Sequence, residues 1–203
     1  MSALLSAETA WYVTGRFYKR SDQALADYGY FLYLAGIEAA LFNGAPDASA
    51  AHFTFAADPF RATAVSNGAL SLALDPVGEF SVYLQRQPAG NFDQPLSFAQ
   101  GECIARFRRA SVVMGTAVAA GPDLQNQALL SNNVFTARLI ASTPFEIGGR
   151  RYDLGELLGA GVTQFGTAAA AAISPPPAGY TLAVPFSGSA IALGGVTRSA
   201  AVR

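Results

Sequence analysis

Glu38 is the only charged residue in the run FLYLAGIEAALF, residues 31–42. A carboxylate on a buried strand loses hydration, which raises its pKa. It is then suited to take or give a proton, or to steady a cationic intermediate. The other reading places Glu38 at a strand end, in water or beside an arginine. Tyr33 lies five residues earlier and takes the opposite parity on a regular strand. A bulge at Gly36 would bring the two together. A tyrosine hydroxyl in a cavity donates to a developing oxyanion; in a core or an interface it does no chemistry. Glu38 and Tyr33 form the candidate catalytic set.

Thiol and imidazole chemistry is sparse. The chain has one cysteine, Cys103, and one histidine, His52. This excludes an internal disulfide and the usual histidine clusters for zinc or iron, so no metal centre is expected. A serine triad would have to use His52, and no G-x-S-x-G elbow accompanies it. A Gly-rich phosphate loop is also missing, and no cofactor is expected. Cys103 shares a face with Ala105 and Phe107 in GECIARFRR and reads as a small hydrophobe, with the arginines mostly outward.

Trp11, Phe17, Phe53, Phe55, Phe80 and Phe107 fall on the inward parity of their strands. They are either plain core or the wall of a lumen that binds an apolar ligand, and they are the candidate substrate-binding residues. A barrel of about eight strands leaves room for one small molecule.

The elements that would hold these residues are strands. Residues 11–20 alternate one apolar with one amphipathic face. Residues 28–44 are apolar on both faces and read as a long buried strand, although the tail IEAALF also suits a helix. Asn67-Gly68 predicts a hairpin turn, and DPVG, residues 75–78, predicts a second hairpin across residues 69–87. Residues 88–100 read as an exposed loop. Further strands follow, with a turn at Gly148-Gly149, an ambiguous helix or strand over 156–174, and about two strands after Pro175–Pro177. Turn signals about every 8–12 residues predict an all-β sandwich or barrel. Closure removes exposed edges, so a small antiparallel β-barrel is the fold expected. One domain, 1–203, is expected, with an extension after about residue 140.

Composition limits the function. Of 203 residues, 51% are hydrophobic and 13% charged, against about 25% charged in ordinary domains. Such a chain buries a large core and has apolar surface left for a ligand cavity, a subunit interface or both; a homo-oligomer is expected. Thirteen basic and fourteen acidic residues give no drive toward nucleic acid or anionic lipid. Neither a signal peptide nor an apolar run long enough for a membrane helix is read, so a cytoplasmic location is expected.

Two stretches, LAGIEAALFNG and SAAHFTFAADPFRATAVSNGALSLAL, precede the strand QGECIARFRR. Together they resemble the barrel of the allene oxide cyclases and their bacterial relatives, including spirotetronate-type cyclases, over about residues 10–140. These proteins share their architecture with lipocalins. The resemblance implies cofactor-free ring closure or isomerisation of a lipid-like or polyketide-like substrate in an apolar lumen. It also implies that a lumen glutamate assists, with Glu38 its nearest match. Such a lumen folds a flexible substrate into its reactive conformer and excludes water. A non-catalytic carrier of a small hydrophobic ligand and a structural or assembly protein are the alternatives.

Overall fold

Period-two alternation governs most of the chain, and the structure turns it into strands. The computed structural model describes residues 3–60, 63–67, 70–75, 78–109, 113–120 and 128–194. The strands are β1 (Thr9–Arg20), β2 (Leu25–Leu34), β3 (Phe53–Phe60), β4 (Thr63–Asn67), β5 (Leu70–Asp75), β6 (Glu79–Leu84), β7 (Glu102–Arg109), β8 (Val113–Ala120) and β9 (Ala128–Ser142). A hairpin, β10 (Phe145–Ile147) and β11 (Arg150–Tyr152), leads to a one-turn helix, α1 (Leu154–Leu158). Then come β12 (Gly161–Ala170) and β13 (Tyr180–Ala192).

Eight of these strands form a closed antiparallel barrel in the order β1-β2-β3-β6-β7-β9-β12-β13, and β13 pairs back onto β1. Strands β4, β5 and β8 extend the sheet past one end. Their order β4-β5-β8-β9 repeats the order β3-β6-β7-β9 below it.

Several expectations change. Strand β2 stops at Leu34, so no strand runs over 28–44. Gly36, at φ +75°, turns the chain, and a Cβ there would meet Leu157 Cδ2 at 2.5 Å. The hairpin Asn67↔Leu70 is present, but residue 68 lies outside the described residues. The expected second hairpin is absent. Strand β5 pairs with β4 and β8 and β6 with β3 and β7, so β5 and β6 never pair with each other; residues 76 and 77 of DPVG lie outside the described residues. Gly148 and Gly149, both at positive φ, make the predicted turn between β10 and β11. The ambiguous 156–174 segment is the end of α1 followed by β12, and one strand follows the prolines among the described residues. The segment after residue 140 supplies two of the eight staves.

One end of the barrel is plugged. Asp153 caps α1 by accepting from the Gly155 N–H at 2.7 Å, and Ser142 Oγ donates to the same carboxylate. The capped turn places Leu154, Leu157 and Leu158 in one apolar cluster with Trp11, Phe53 and Leu84. Phe145 of the β10–β11 hairpin packs edge-on against Phe53 at 5.7 Å.

The waist is narrow. Gly15 and Gly29 are paired across β1 and β2. A Cβ on Gly29 would meet Thr14 O at 2.2 Å and Phe55 Cζ at 2.7 Å, so glycine is required for this close approach. Trp11 is the hub of the lumen, with Phe31, Phe80 and Phe107 edge-on to it at 5.5, 6.1 and 5.8 Å. Each such pair contributes about 0.5–1.5 kcal/mol beyond its buried area.

A second cluster lies outside the barrel. Tyr18, Tyr28 and Ala183 are buried there under Phe98. The expected exposed loop therefore folds down as cladding. Thr54 Oγ1 donates to Phe98 O at 2.6 Å, Gln85 Nε2 donates to Ser97 O at 2.8 Å, and Tyr18 Oη donates to Phe92 O at 2.9 Å. Burial pushes the Tyr18 and Tyr28 hydroxyls above the usual tyrosine range. At Tyr28 the adjacent Asp58 carboxylate, which accepts hydrogen bonds from the Tyr28 hydroxyl and from Arg20, adds to the rise.

Candidate functional site

The end opposite the plug is a mouth, and the lumen below it retains a cavity of about 40 Å³. Trp11, Phe31, Phe55, Phe80, Phe135 and Phe186 supply its apolar wall. Asp27, Arg109, Asn133 and Gln164 supply the polar groups. That volume holds at most about three waters. It fits the polar head of a molecule, while a ligand pocket of ordinary size is about 300–1,000 Å³.

Arg109 is the distinctive group. It ends β7 on the same parity as Ala105 and Phe107, so regular alternation carries it inward. Its side chain is 2% exposed and its Nη2 stands 3.8 Å from Asp27 Oδ2. The guanidinium lies 4.7 Å above the Phe135 ring, a cation–π arrangement strengthened by burial. Gly78 leaves room for it, since a Cβ there would meet Arg109 Nη1 at 2.9 Å. Asp27 comes from β2, on the parity of Gly29 and Phe31. Gln164 comes from β12, where its Oε1 accepts from Trp11 Nε1–H at 2.7 Å and its Nε2 donates to Phe165 O at 3.2 Å. That bridge fixes the indole that floors the cavity.

The expected binding residues separate by depth. Trp11, Phe55 and Phe80 line the cavity. Phe107 stacks on Phe80 at 4.6 Å, behind the wall. Phe53 is fully buried at the plugged end. Phe17 is half-buried and pairs in register with Asp27, which places it on the rim.

The candidate catalytic residues lie elsewhere. Glu38 is in the loop after β2, 69% exposed and ion-paired to Arg150. Its second sequence reading, a solvated carboxylate beside an arginine, is the one the structure has. Tyr33 is 45% exposed on the outer surface, 5.9 Å from Tyr12. The bulge in β2 falls between Phe31 and Tyr33, so parity beyond it is reversed. The same effect moves Cys103. A bulge opposite Val82 and Tyr83 leaves Ile104 buried and Cys103 exposed. His52 is held by the Gln85 carbonyl at 2.9 Å.

Asp27, Arg109, Asn133 and Gln164 are the polar groups that sequence reading passes over. Arg109 carried a usable signal in its parity with Phe107. Among the described residues no three His, Cys, Asp or Glu side chains gather as a metal site, and no helix is long and apolar enough to cross a membrane.

The register continues past the barrel into β4, β5 and β8. Ala64, Ala73 and Gly115 share one row with Asn133, and Ser66, Ser71 and Ala117 share the next with Ser131. Both rows hold only small, uncharged residue types. No family model matches the chain, and neither a curated protein nor a solved structure shows significant similarity to it.

Proposed function

We propose that this barrel binds a small, largely apolar molecule bearing one hydroxyl, carbonyl or carboxyl group. The polar group enters the mouth and meets Asp27, Arg109 and Asn133; the apolar body lies against the aromatic wall. The observation that carries this reading is Arg109. A guanidinium is costly to desolvate, and this one is buried at the edge of a cavity. Aromatic walls with a few convergent polar groups are the usual make-up of a small-molecule site.

Cofactor-free cyclisation or isomerisation of that molecule is a second reading, in line with the resemblance to allene oxide cyclases. One observation favours it. Asp27 and Arg109 flank the same cavity, so a carboxylate stands ready to accept a proton while a guanidinium faces the oxygen on which charge would develop.

The test is native mass spectrometry of freshly purified protein, followed by titration with N-phenyl-1-naphthylamine. A retained small molecule, or probe binding lost in Arg109→Met, is the expected result. Wild-type protein with no retained molecule and no probe binding would sink the proposal.

A further inference from the structure

The charges at the cavity cancel. Asp27 and Arg109 are the ionised side chains of its wall among the described residues, and they stand 3.8 Å apart. The guanidinium is offset a second time by the Phe135 ring, whose electron-rich face lies 4.7 Å from it. Beside the pair the wall carries two amides, Asn133 and Gln164. The fold makes room for both. Asn133 on β9, Gly166 on β12 and Gly188 on β13 share one row of the register. A Cβ on Gly166 would meet Asn133 Oδ1 at 2.4 Å, and a Cβ on Gly188 would meet Gln164 Nε2 at 2.7 Å. Each amide therefore lies in space that a larger residue would fill. Gln164 is committed at both ends, to Trp11 and to the Phe165 carbonyl. Asn133 is then the neutral group placed to meet an entering molecule.

We propose that the head group this cavity accepts is uncharged, a hydroxyl or a carbonyl, and that the site rejects the corresponding carboxylate and ammonium. This inference rests on the ligand reading above and narrows it. A carboxylate would seek Arg109, which Asp27 and Phe135 already offset. It would also stand beside the Asp27 carboxylate, and like charges held close together in a desolvated site repel. An ammonium meets the same opposition from Arg109. Either ion leaves one uncompensated charge at a place where the Arg109 side chain is only 2% exposed. An alcohol or a ketone adds no charge. The Asn133 amide suits both, since its carbonyl accepts from a hydroxyl and its N–H donates to either oxygen. Asp27 is thus the specificity-determining residue. Arginine alone ordinarily selects carboxylates; the aspartate beside it cancels that preference.

Displacement of N-phenyl-1-naphthylamine by 1-decanol, decanoate and decylamine tests it, because these competitors share one chain length and differ in the head. The titrations are run at about pH 7.5, where decanoate and decylamine are ionised. For wild type, 1-decanol is expected to compete at least about tenfold more tightly than either ion. Asp27→Asn keeps the shape of the side chain and removes its charge. It is expected to tighten decanoate at least about tenfold while moving 1-decanol less than about threefold. Circular dichroism checks that the variant is folded, and the wild-type series decides the head group without it. Decanoate or decylamine that competes as well as 1-decanol overturns the neutral head and leaves the ligand reading standing. A folded Asp27→Asn that still rejects decanoate overturns the role given to Asp27. Wild type that binds no probe removes the ligand reading, and this inference with it.

Discussion

At the plugged end Leu154, Leu157 and Leu158 bury apolar surface on an apolar core, with a capped turn to hold them. At the mouth Asp27 and Arg109 stand side by side as an ion pair at the edge of a cavity, and their burial opposes folding rather than driving it. Apolar packing and the polar-edged cavity thus lie at opposite ends of one lumen. A barrel that needs only to be stable fills both ends with leucine, and the binding proposal rests on the expensive groups kept at the mouth.

This contrast breaks most sharply at the plug. Leu157→Ala is expected to cost about 2–5 kcal/mol of unfolding free energy in chemical denaturation, while probe affinity stays within about twofold. If affinity collapses along with stability, the two ends are not separate. Between the ends, Gly29→Ala forces a methyl group against the backbone of β1. A loss of about 1–3 kcal/mol is expected, and wild-type stability would mean that the waist opens freely.

At the mouth the order reverses. Arg109→Met is expected to weaken probe binding at least about tenfold, or ~1.4 kcal/mol. Adding Asp27→Leu removes the carboxylate left behind and is expected to recover stability without recovering affinity. Recovery of both would reduce the ion pair to a structural role.

The outer cluster near the mouth sharpens the comparison through pH. Tyr18 and Tyr28 have hydroxyls raised above the ordinary tyrosine value of about 10. Their contribution is therefore fully present below about pH 10. It falls as pH rises further, because the unfolded chain releases protons that the folded chain keeps, by up to ~1.4 kcal/mol per pH unit for each group. Tyr28→Phe is expected to flatten that alkaline loss in denaturation series, and an unchanged slope would contradict the assignment. The smallest effects belong to Glu38→Gln and Tyr33→Phe. Both are expected to shift stability within about 0.5 kcal/mol and to leave probe binding unchanged. A loss of binding in either would move the site away from the mouth.

The barrel was legible in the sequence because alternation and turn residues are local signals. Strand β1 and the turn at Gly148-Gly149 follow directly from them. The aromatic wall was legible for the same reason: Trp11, Phe55 and Phe80 obey simple parity. The facing of Tyr33 and Cys103 was not, because a single-residue bulge beside each reverses the parity. Strand pairing is a long-range property as well, so the DPVG segment read as a hairpin although its flanking strands pair with other neighbours. Arg109 shows the converse. Its parity was regular, and the expectation that arginines face water overrode it.

The pairing of β1 with β13 sets the order of events during synthesis. Thr9 finds its partner in Ile191, so the seam of the barrel closes only after the chain through Ile191 has left the ribosome. Until then β1 and β12 each present an unpaired edge, and contacts this distant in sequence form slowly. A ribosome that stalls before Tyr180 therefore releases seven staves with two open edges, a species prone to stick to its neighbours.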